Sequence, residues 1–406
     1  MDPEIRPIRP EEFASYIRTL EAAFHGPVSD QDVEDERAIA EYDRQFAAFD
    51  DGVVVGGSTV ATLEISVPGG RSARVAGIIG VGVLPSHRRR GINTALMRAQ
   101  LDDIHGRGES LAILHASEAG IYRGFGFGQG TSLAELNIET THAAFLGGHE
   151  ARGRVRLLSR EEALPRMRPV YDAVAATRPG MLRVDDRWFS WRFSGVQHDG
   201  DLPWYFAVHE TDAGEPDAYA VYEVKHDWPG DIPKLELTVH ELMATTAQAT
   251  ADMWRFVFDV DLVRTVSAGW RPVDDPLLWM MAEPRRLGFT LRDGMFVRLV
   301  DVPAALGARG YAGEGNVVIE VRDDFCPWNQ GTYVLSASGG SASCSPTERP
   351  PDLACTVNEL GATYLGGVTF AELAGAGRLE ERSPGGLARA DAIFRSVPAP
   401  WCSMPI

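Results

Sequence analysis

Cysteine is scarce in this chain, which has four cysteines among 406 residues. All four lie near the C-terminal end, and none stands in a C-x-x-C pair or beside a histidine at metal-ligand spacing. They are Cys326, Cys344, Cys355 and Cys402. The pattern predicts free thiols, no metal site and no disulfide framework of the kind that oxidising compartments favour.

Long apolar runs are also missing, because no stretch approaches the roughly 20 apolar residues that span a bilayer. Residues 1–4 include no basic region followed by an apolar segment, as a secretory signal would. We therefore expect a cytoplasmic protein with no membrane span.

Positive charge is in deficit, since 39 lysines and arginines face 57 acidic residues and give a net charge of −18. Binding of nucleic acid depends on basic side chains that neutralise phosphates, so the balance argues against such a partner. An acidic surface suits a cationic substrate. The chain is longer than one hydrophobic core usually supports, which predicts two or three domains.

Strands and helices alternate in the first part of the chain. Apolar residues at helical spacing predict helices over residues 10–24 and 92–104. Strands are predicted over 58–67, 75–84 and 111–115. This order predicts an α/β domain built on a mixed sheet.

Three arginines and a glycine, Arg88, Arg89, Arg90 and Gly91, stand between a predicted strand and a predicted helix. The start of a helix leaves about four backbone N–H groups without intrahelical partners and carries the positive end of the helix dipole. Basic side chains at that position predict a site for a diphosphate. The Walker and dinucleotide glycine patterns are absent from the sequence, and a solvated basic loop is the alternative.

A second unit repeats this order of elements, with a strand over 235–240 followed by a helix from about residue 246. Its strand-to-helix junction has no arginine cluster and no glycine, so we expect the same architecture without the anion site. A third unit begins near residue 295 and ends in the aromatic and proline-rich segment 399–406. This tail is unlike a disordered terminus, and we expect the rest of the fold to hold it.

The basic turn resembles the acetyl-CoA-binding motif of the GNAT acetyltransferases, Arg/Gln-x-x-Gly-x-Gly/Ala. In this chain the motif runs from Arg88 to Asn93, with asparagine in place of the last small residue. In that superfamily the diphosphate lies on the N–H groups of the turn, and a bulged strand before it binds the pantetheine arm. Gly80 and Gly82 in the preceding strand fit this resemblance, because glycine often marks a bulge or a close backbone approach.

Segments 116–128, 295–302 and 400–402 resemble the enhanced intracellular survival (Eis) acetyltransferases, and the resemblance extends over essentially the whole chain. It implies an α/β (α+β) fold of two GNAT-like mixed-sheet domains in tandem plus a C-terminal sterol-carrier-protein-like α+β domain. The expected limits are 1–148 for the GNAT domain that binds acetyl-CoA and 149–294 for a GNAT-like domain without the cofactor motif. Residues 295–406 would form the third domain, whose C-terminus reaches the active site. The family also implies a homohexamer.

The resemblance implies roles for individual residues by matched position. Tyr122 would be the general acid that protonates the departing CoA thiolate, and the carboxylate of Ile406 the general base. A base is needed because an ammonium of pKa near ~10.4 cannot attack until it loses a proton. Phe24 and Glu36 would line the acceptor pocket. The residues that would surround acetyl-CoA are Val81, Gly82, Val83, Arg88, Arg89, Arg90, Gly91, Ile92, Asn93, Thr94, Ser117 and Glu118.

Two of these assignments compete with plain structural roles. Tyr122 also reads as a core aromatic beside Phe125 and Phe127, and the C-terminal carboxylate as a frayed end. His115, at the end of a predicted strand, is either a proton relay or a satisfied structural histidine.

The sequence thus predicts an acetyl-CoA-dependent N-acetyltransferase that acts by direct transfer, since no cysteine lies near the motif to carry an acyl group. The resemblance implies a small-molecule amine or a lysine-bearing substrate, with aminoglycosides, polyamines and lysine side chains as candidates. Two other classes stay open. One is a lipid-binding protein, and the other a CoA-sensing protein, each with a vestigial acetyltransferase domain.

Overall fold

A computed structural model describes residues 3–194, 202–229 and 232–405. The strands of these residues are β1 (Glu4–Pro7), β2 (Gln45–Asp50), β3 (Val53–Val67), β4 (Arg71–Val83), β5 (Leu111–His115), β6 (Gly128–Gln129), β7 (Ser132–Glu139), β8 (Arg154–Leu158), β9 (Leu182–Arg183), β10 (Tyr205–Glu210), β11 (Pro216–Lys225), β12 (Leu235–Ala244), β13 (Val263–Arg271), β14 (Thr290–Asp293), β15 (Met295–Leu299), β16 (Gly315–Arg322), β17 (Gly331–Ser338), β18 (Ser341–Pro346), β19 (Leu353–Thr356) and β20 (Glu380–Glu381).

The helices are α1 (Phe13–Phe24), α2 (Asp30–Arg37), α3 (Ile92–Gly106), α4 (Ala119–Arg123), α5 (Arg160–Thr177), α6 (Asp186–Arg192), α7 (Ala247–Phe258), α8 (Leu277–Met280), α9 (Val302–Ala308), α10 (Val357–Thr363), α11 (Phe370–Gly375) and α12 (Gly386–Phe394). Among the helices of the described residues, none is both long and apolar enough to cross a bilayer.

The first sheet has the strand order β1-β2-β3-β4-β5-β15-β6, with β9 added beside β3. It is mixed, because β4 and β5 run parallel while β3 and β4 form a long antiparallel hairpin. Helix α1 packs against β3 and β4 through a buried face that includes Phe13, Ile17 and Leu20. Burying each such side chain stabilises the fold by roughly 1.5–3 kcal/mol.

The first two sheets exchange strands along the chain. Strand β15 lies between β5 and β6 in the first sheet, although it follows the whole second unit in sequence. Strand β7 lies in the second sheet, between β14 and β13. The expected divisions after residues 148 and 294 therefore do not coincide with the limits of the sheets. The placement of β15 in the first sheet has a physical reason. This strand is buried along its whole length and covers the edge that β5 would otherwise leave unpaired.

The second sheet has the order β14-β7-β13-β12-β11-β10-β8, and the third the order β18-β17-β16-β19-β20. The third unit is tied to the first by a buried ion pair, in which Arg298 Nη2 of β15 lies 2.7 Å from Asp323 Oδ2. Asn358 Nδ2 adds a hydrogen bond of 2.9 Å to the carbonyl of Phe127. These contacts fix the third unit against the strands that follow Tyr122.

The C-terminal tail is held, as its composition predicts. Residues 400–404 are buried, and the Trp401 indole Nε1 donates to the carbonyl of Trp270 at 2.7 Å. The backbone N–H of Trp401 donates to the carbonyl of Pro179 at 2.8 Å. Gly180, with φ of +91°, permits this approach, because a Cβ there would lie 2.9 Å from the Trp401 carbonyl oxygen. Ile406 lies outside the described residues.

Candidate active site

Strands β4 and β5 pair over a very short distance and then part. Their parallel pairing joins Ala76 to Ala112 and Gly77 to Ile113, and ends there. Beyond Gly77, β4 runs on to Val83 with β3 as its strand neighbour on one side. The other edge of β4 therefore faces a cleft, where its backbone groups are available to a ligand.

The open part of β4 contains a bulge. Its register against β3 shifts between Gly57 and Thr59, and Gly80 has φ of +60°. A glycine in the left-handed region is the usual first residue of such a bulge, and this explains why the strand has a glycine at position 80. Gly82 has a different reason to be small, because a Cβ on it would lie 3.1 Å from the Ala23 side chain of α1.

The basic turn after β4 presents free N–H groups. Gly91, with φ of +78°, begins α3 without any side-chain cap, and the first intrahelical bond runs from Ala95 N to Gly91 O at 3.0 Å. The N–H groups of residues 92–94 precede that bond and have no partner within the helix. Apart from the two chain neighbours of Gly91, no residue that the structure describes lies within 4 Å of the place where a Cβ on Gly91 would be. This open, positive helix end fits a diphosphate.

The three arginines of the turn differ in what they contact. Arg88 donates to the carbonyls of Val83 at 3.2 Å and Ala23 at 2.9 Å, so it fastens the turn to α1. Arg90 lies 3.9 Å from the Asp50 carboxylate. Arg89 is exposed and makes no hydrogen bond or ion pair within the described residues. Its guanidinium is therefore available to an anion.

Asn93, the residue that departs from the family motif, lies in the first turn of α3. Its Oδ1 is buried and has no hydrogen-bond partner among the residues that the structure describes. Thr94, next to it, is exposed, and Ile92 is buried against the sheet. The first turn of α3 therefore exposes Thr94 and keeps the Asn93 side-chain oxygen buried.

The corresponding junction of the second sheet carries a side-chain cap. Helix α7 begins after Thr246, whose Oγ1 accepts from the N–H of Ala249 at 3.1 Å. This side-chain cap takes one of the N–H groups that a phosphate would need. The junction thus has the strand and the helix without the open end, as the sequence predicts.

Tyr122 lies on α4, one short turn after β5. The residue is 7% exposed, and its ring meets the rings of Phe125 and Phe127 edge to face, at centroid distances of 6.5 and 6.2 Å. Ile78 of β4 belongs to the same buried cluster. Burial raises the pKa of Tyr122, so its hydroxyl keeps its proton at neutral pH. Ser117 and Glu118, just before α4, are exposed.

A cavity of about 250 Å³ adjoins the bulged strand. Both residues predicted to line an acceptor pocket, Phe24 and Glu36, lie on its wall, and Gly80 of the bulge does so too. The full lining is Ile17, Leu20, Glu21, Phe24, Glu36, Ile39, Ala40, Gln45, Thr59, Val60, Ala61, Ile79, Gly80, Trp188 and Trp191. The cavity is apolar apart from a few groups, of which two are carboxyls.

The two carboxyls of the cavity resist ionisation. Burial, together with the nearby carboxylates of Glu21, Asp35 and Asp32, raises the pKa of Glu36 to about 7. Burial, and then Asp32, raises the pKa of Glu21. A bound cation would reverse both effects, because an opposite charge at short range favours the carboxylate. The cavity is therefore suited to an ammonium group with an apolar or aromatic neighbour.

Among the lining residues that the sequence did not single out, Glu21, Trp188 and Trp191 bear most on binding. Glu21 had a usable signal, since it is a charged residue beside Leu20 on the helical stretch that carries Ile17 and Phe24. Trp188 and Trp191 come from α6, far away in sequence, and no local pattern points to them.

His115 ends β5 and faces the second sheet. Its ring lies 5.0 Å from that of Trp270 of β13. Burial and the charge of Arg292 lower the pKa of His115 to about 3, so the imidazole is neutral at physiological pH.

Comparison with protein families assigns each of the three units. Residues 4–130 and 180–299 match two family models that are each described as an acetyltransferase (GNAT) domain. Residues 302–403 match the sterol carrier protein domain. These matches confirm the predicted fold class of two GNAT-like domains followed by a sterol-carrier-protein-like domain.

Individual relatives extend over most of the chain. An uncharacterized N-acetyltransferase of Streptomyces avermitilis is 38% identical over 408 residues, covering 99% of both chains. The N-acetyltransferase Eis of Mycobacterium tuberculosis is 35% identical over 358 residues, covering 84% of this chain and 83% of the relative. The crystal structure of Eis1 from Mycobacterium abscessus superimposes with a TM-score of 0.85 at 33% identity, covering 99% of this chain and 100% of that one.

The raised pKa of Glu36 predicts a pH dependence of stability. Between its unfolded value near 4.5 and about 7, the native state holds a proton that the unfolded chain releases. Stability from this group is therefore lost as pH rises from 5 to 8. Replacing Glu36→Gln should remove this loss of folding stability, which is on the order of 1–3 kcal/mol. The measurement is the thermal unfolding midpoint of each protein at pH values from 5 to 8.

Glu34→Gln, an exposed change on the same helix α2, is the control and should keep the wild-type pH dependence. If the midpoints of Glu36→Gln and wild type fall in parallel between pH 5 and 8, Glu36 does not titrate in this window.

Proposed function

Because the chain belongs to the Eis family of GNAT N-acetyltransferases, we propose that it transfers an acetyl group from acetyl-CoA directly to a primary amine of a polycationic substrate. Aminoglycosides, polyamines and lysine side chains are the proposed classes. One observation carries the proposal: the bulge at Gly80 adjoins both the open cleft of β4 and the cavity that contains Glu21 and Glu36.

The cofactor end of the site is formed by the basic turn and the open edge of β4. Arg89, Arg90 and the N–H groups of residues 92–94 would hold the diphosphate, because charge and unpaired donors coincide there. The backbone of Val81 and Val83 would hydrogen-bond the pantetheine arm along the edge that β5 leaves uncovered. Ser117 and Glu118 are exposed in the segment between β5 and α4. Acetyl-CoA supplies the acetyl group as a thioester.

The acceptor end is the carboxyl-bearing cavity. Glu21 and Glu36 would hold ammonium groups of the substrate, while Phe24, Trp188 and Trp191 contact its carbon skeleton and provide faces for cation–π attraction. The amine that reacts must be neutral, so a base has to take its proton. We assign that role to the carboxylate of Ile406, the residue that follows the buried tail.

Tyr122 would act as the general acid. A thiolate leaves the acetyl group more readily when a proton reaches the sulfur, and a phenol whose pKa is raised by burial is protonated at the pH of the reaction. Tyr122 is buried in a cluster with Ile78 of β4 and Leu114 of β5, the two strands that part beside the cleft, and this position supports the assignment.

Replacing Tyr122→Phe should lower the rate of acetyl transfer about a hundredfold or more, since a positioned acid typically contributes 10²–10⁴-fold. Affinity for acetyl-CoA should stay near the wild-type value, because the ring packing is kept. The measurement is release of CoA thiol against a panel of aminoglycosides, polyamines, lysine peptides and arylalkylamines. Tyr205→Phe, a change on the second sheet, is the matched control.

Unchanged turnover in Tyr122→Phe would remove this residue from the mechanism. If the wild-type protein releases no thiol with any amine of the panel, the proposed activity itself is wrong.

Adding four residues after Ile406 should lower acetyl transfer at least tenfold, because it moves the carboxylate away from the site. The same four residues added before Met1 serve as the control for the added chain. Thiol release under saturating acetyl-CoA is again the measurement, and full activity of the C-terminally extended protein would exclude the C-terminal base.

A further inference from the structure

The second GNAT domain has a cleft like that of the first. Strands β12 and β13 run parallel and pair as far as Val239 and Ala268, and then part. Tyr222 of β11 pairs with Val239 and Val221 with Glu241, so His240 is the extra residue of a bulge at that point. Parting strands and a bulge on the first of them are also the two features that shape the cleft beside β4.

The C-terminal tail lies in this second cleft. A cavity of about 190 Å³ between the parted strands is lined by Arg192, Phe193, Trp204, His240, Glu241, Trp270, Ser403 and Pro405. The tail therefore forms part of the wall where a GNAT domain would otherwise bind its cofactor arm. The bond from the Trp401 indole to the carbonyl of Trp270 fastens the tail to β13.

A buried charged group holds the tail from the other side. Arg192 Nη2 donates to the carbonyl of Ser403 at 2.6 Å and also to the Glu241 carboxylate. The Tyr219 hydroxyl donates to the second oxygen of Glu241. The side chains of Arg192 and Glu241 are 8% and 2% exposed. Tyr219 thus orients Glu241, and Glu241 orients Arg192. Arg192 in turn binds the backbone carbonyl of Ser403 in the tail.

The same elements reach the catalytic side of the molecule. Trp191, the neighbour of Arg192 on α6, lines the acceptor cavity. Trp270, which binds Trp401, contacts the ring of His115 at the end of β5. Helix α6 therefore contacts both the tail and the acceptor cavity, and Trp270 contacts both the tail and the end of β5.

We propose that the second GNAT domain uses its cofactor cleft as a socket for residues 401–405, and that Arg192, Glu241 and Trp401 are positioning residues for the C-terminal carboxylate. This inference rests on the proposed function for its catalytic part. The socket itself rests on the contacts of the tail alone. A base must be held to within about 0.5 Å to act well, and a displacement of 1 Å can cost on the order of 100-fold in rate.

The test replaces the charged pair as a unit, Arg192→Met with Glu241→Leu, so that neither charge is left buried without its partner. Trp401→Phe is the second variant, which removes the indole donor and keeps an aromatic ring. Arg264→Met, an exposed change on β13, is the control. All are made in the full chain.

The first readout is hydrogen–deuterium exchange of the C-terminal peptide, followed by mass spectrometry. We expect amides of residues 401–404 to exchange at least tenfold faster in the double variant, or in Trp401→Phe should the double variant fail to fold. The Arg264→Met protein should match the wild type. Unchanged exchange in both socket variants would overturn the socket.

The second readout is the pH profile of acetyl transfer. A misplaced base matters most where the amine is protonated, so a deficit of about tenfold in kcat at pH 7 should shrink toward pH 9.5. Affinity for acetyl-CoA should be unchanged. Faster exchange with normal kcat, or with a deficit equal at every pH, would overturn the positioning role. If the wild-type protein acetylates nothing, the proposed function fails and the exchange experiment still decides on the socket.

Discussion

The site depends on the early separation of two parallel strands. Had β4 and β5 paired along their whole length, the edge of β4 would be covered and no ligand could reach its backbone. Because the pairing stops at Gly77, the remaining part of β4 bends at the Gly80 bulge and leads into the open end of α3. The acidic cavity adjoins the same bulge. One irregular strand thus adjoins both the uncapped start of α3 and the cavity that contains Glu21 and Glu36.

The two GNAT domains show that the fold and the site are separable. Both have parting strands with a bulge, and they differ in the N-cap residue of the helix that follows. Gly91 leaves the N–H groups of α3 open, whereas Thr246 caps α7 with its own hydroxyl. The second domain contributes in another way, because its helix α6 supplies Trp191 to the acceptor cavity and Arg192 to the tail.

The sequence indicated one part of the candidate site by local chemistry. The basic turn with Gly91 was recognisable because charge, glycine and a helix start coincide within a few residues. Phe24 and Glu36 were implied by the family resemblance, and both line the cavity. The position of β15 between β5 and β6 was not predictable, since an apolar strand does not specify its neighbour. Gly82 makes room for Ala23 of α1, a packing reason that the sequence does not indicate. Trp188 and Trp191 reach the cavity because α6 packs against it, and no local sequence pattern predicts that packing.

Calorimetric titration of acetyl-CoA tests the central claim, that the diphosphate is held at the open junction of the first domain. The account predicts one molecule bound per chain, an affinity at least about tenfold weaker in Arg89→Glu, and unchanged binding in Thr246→Gly. Two molecules per chain, or full affinity in Arg89→Glu, would contradict it.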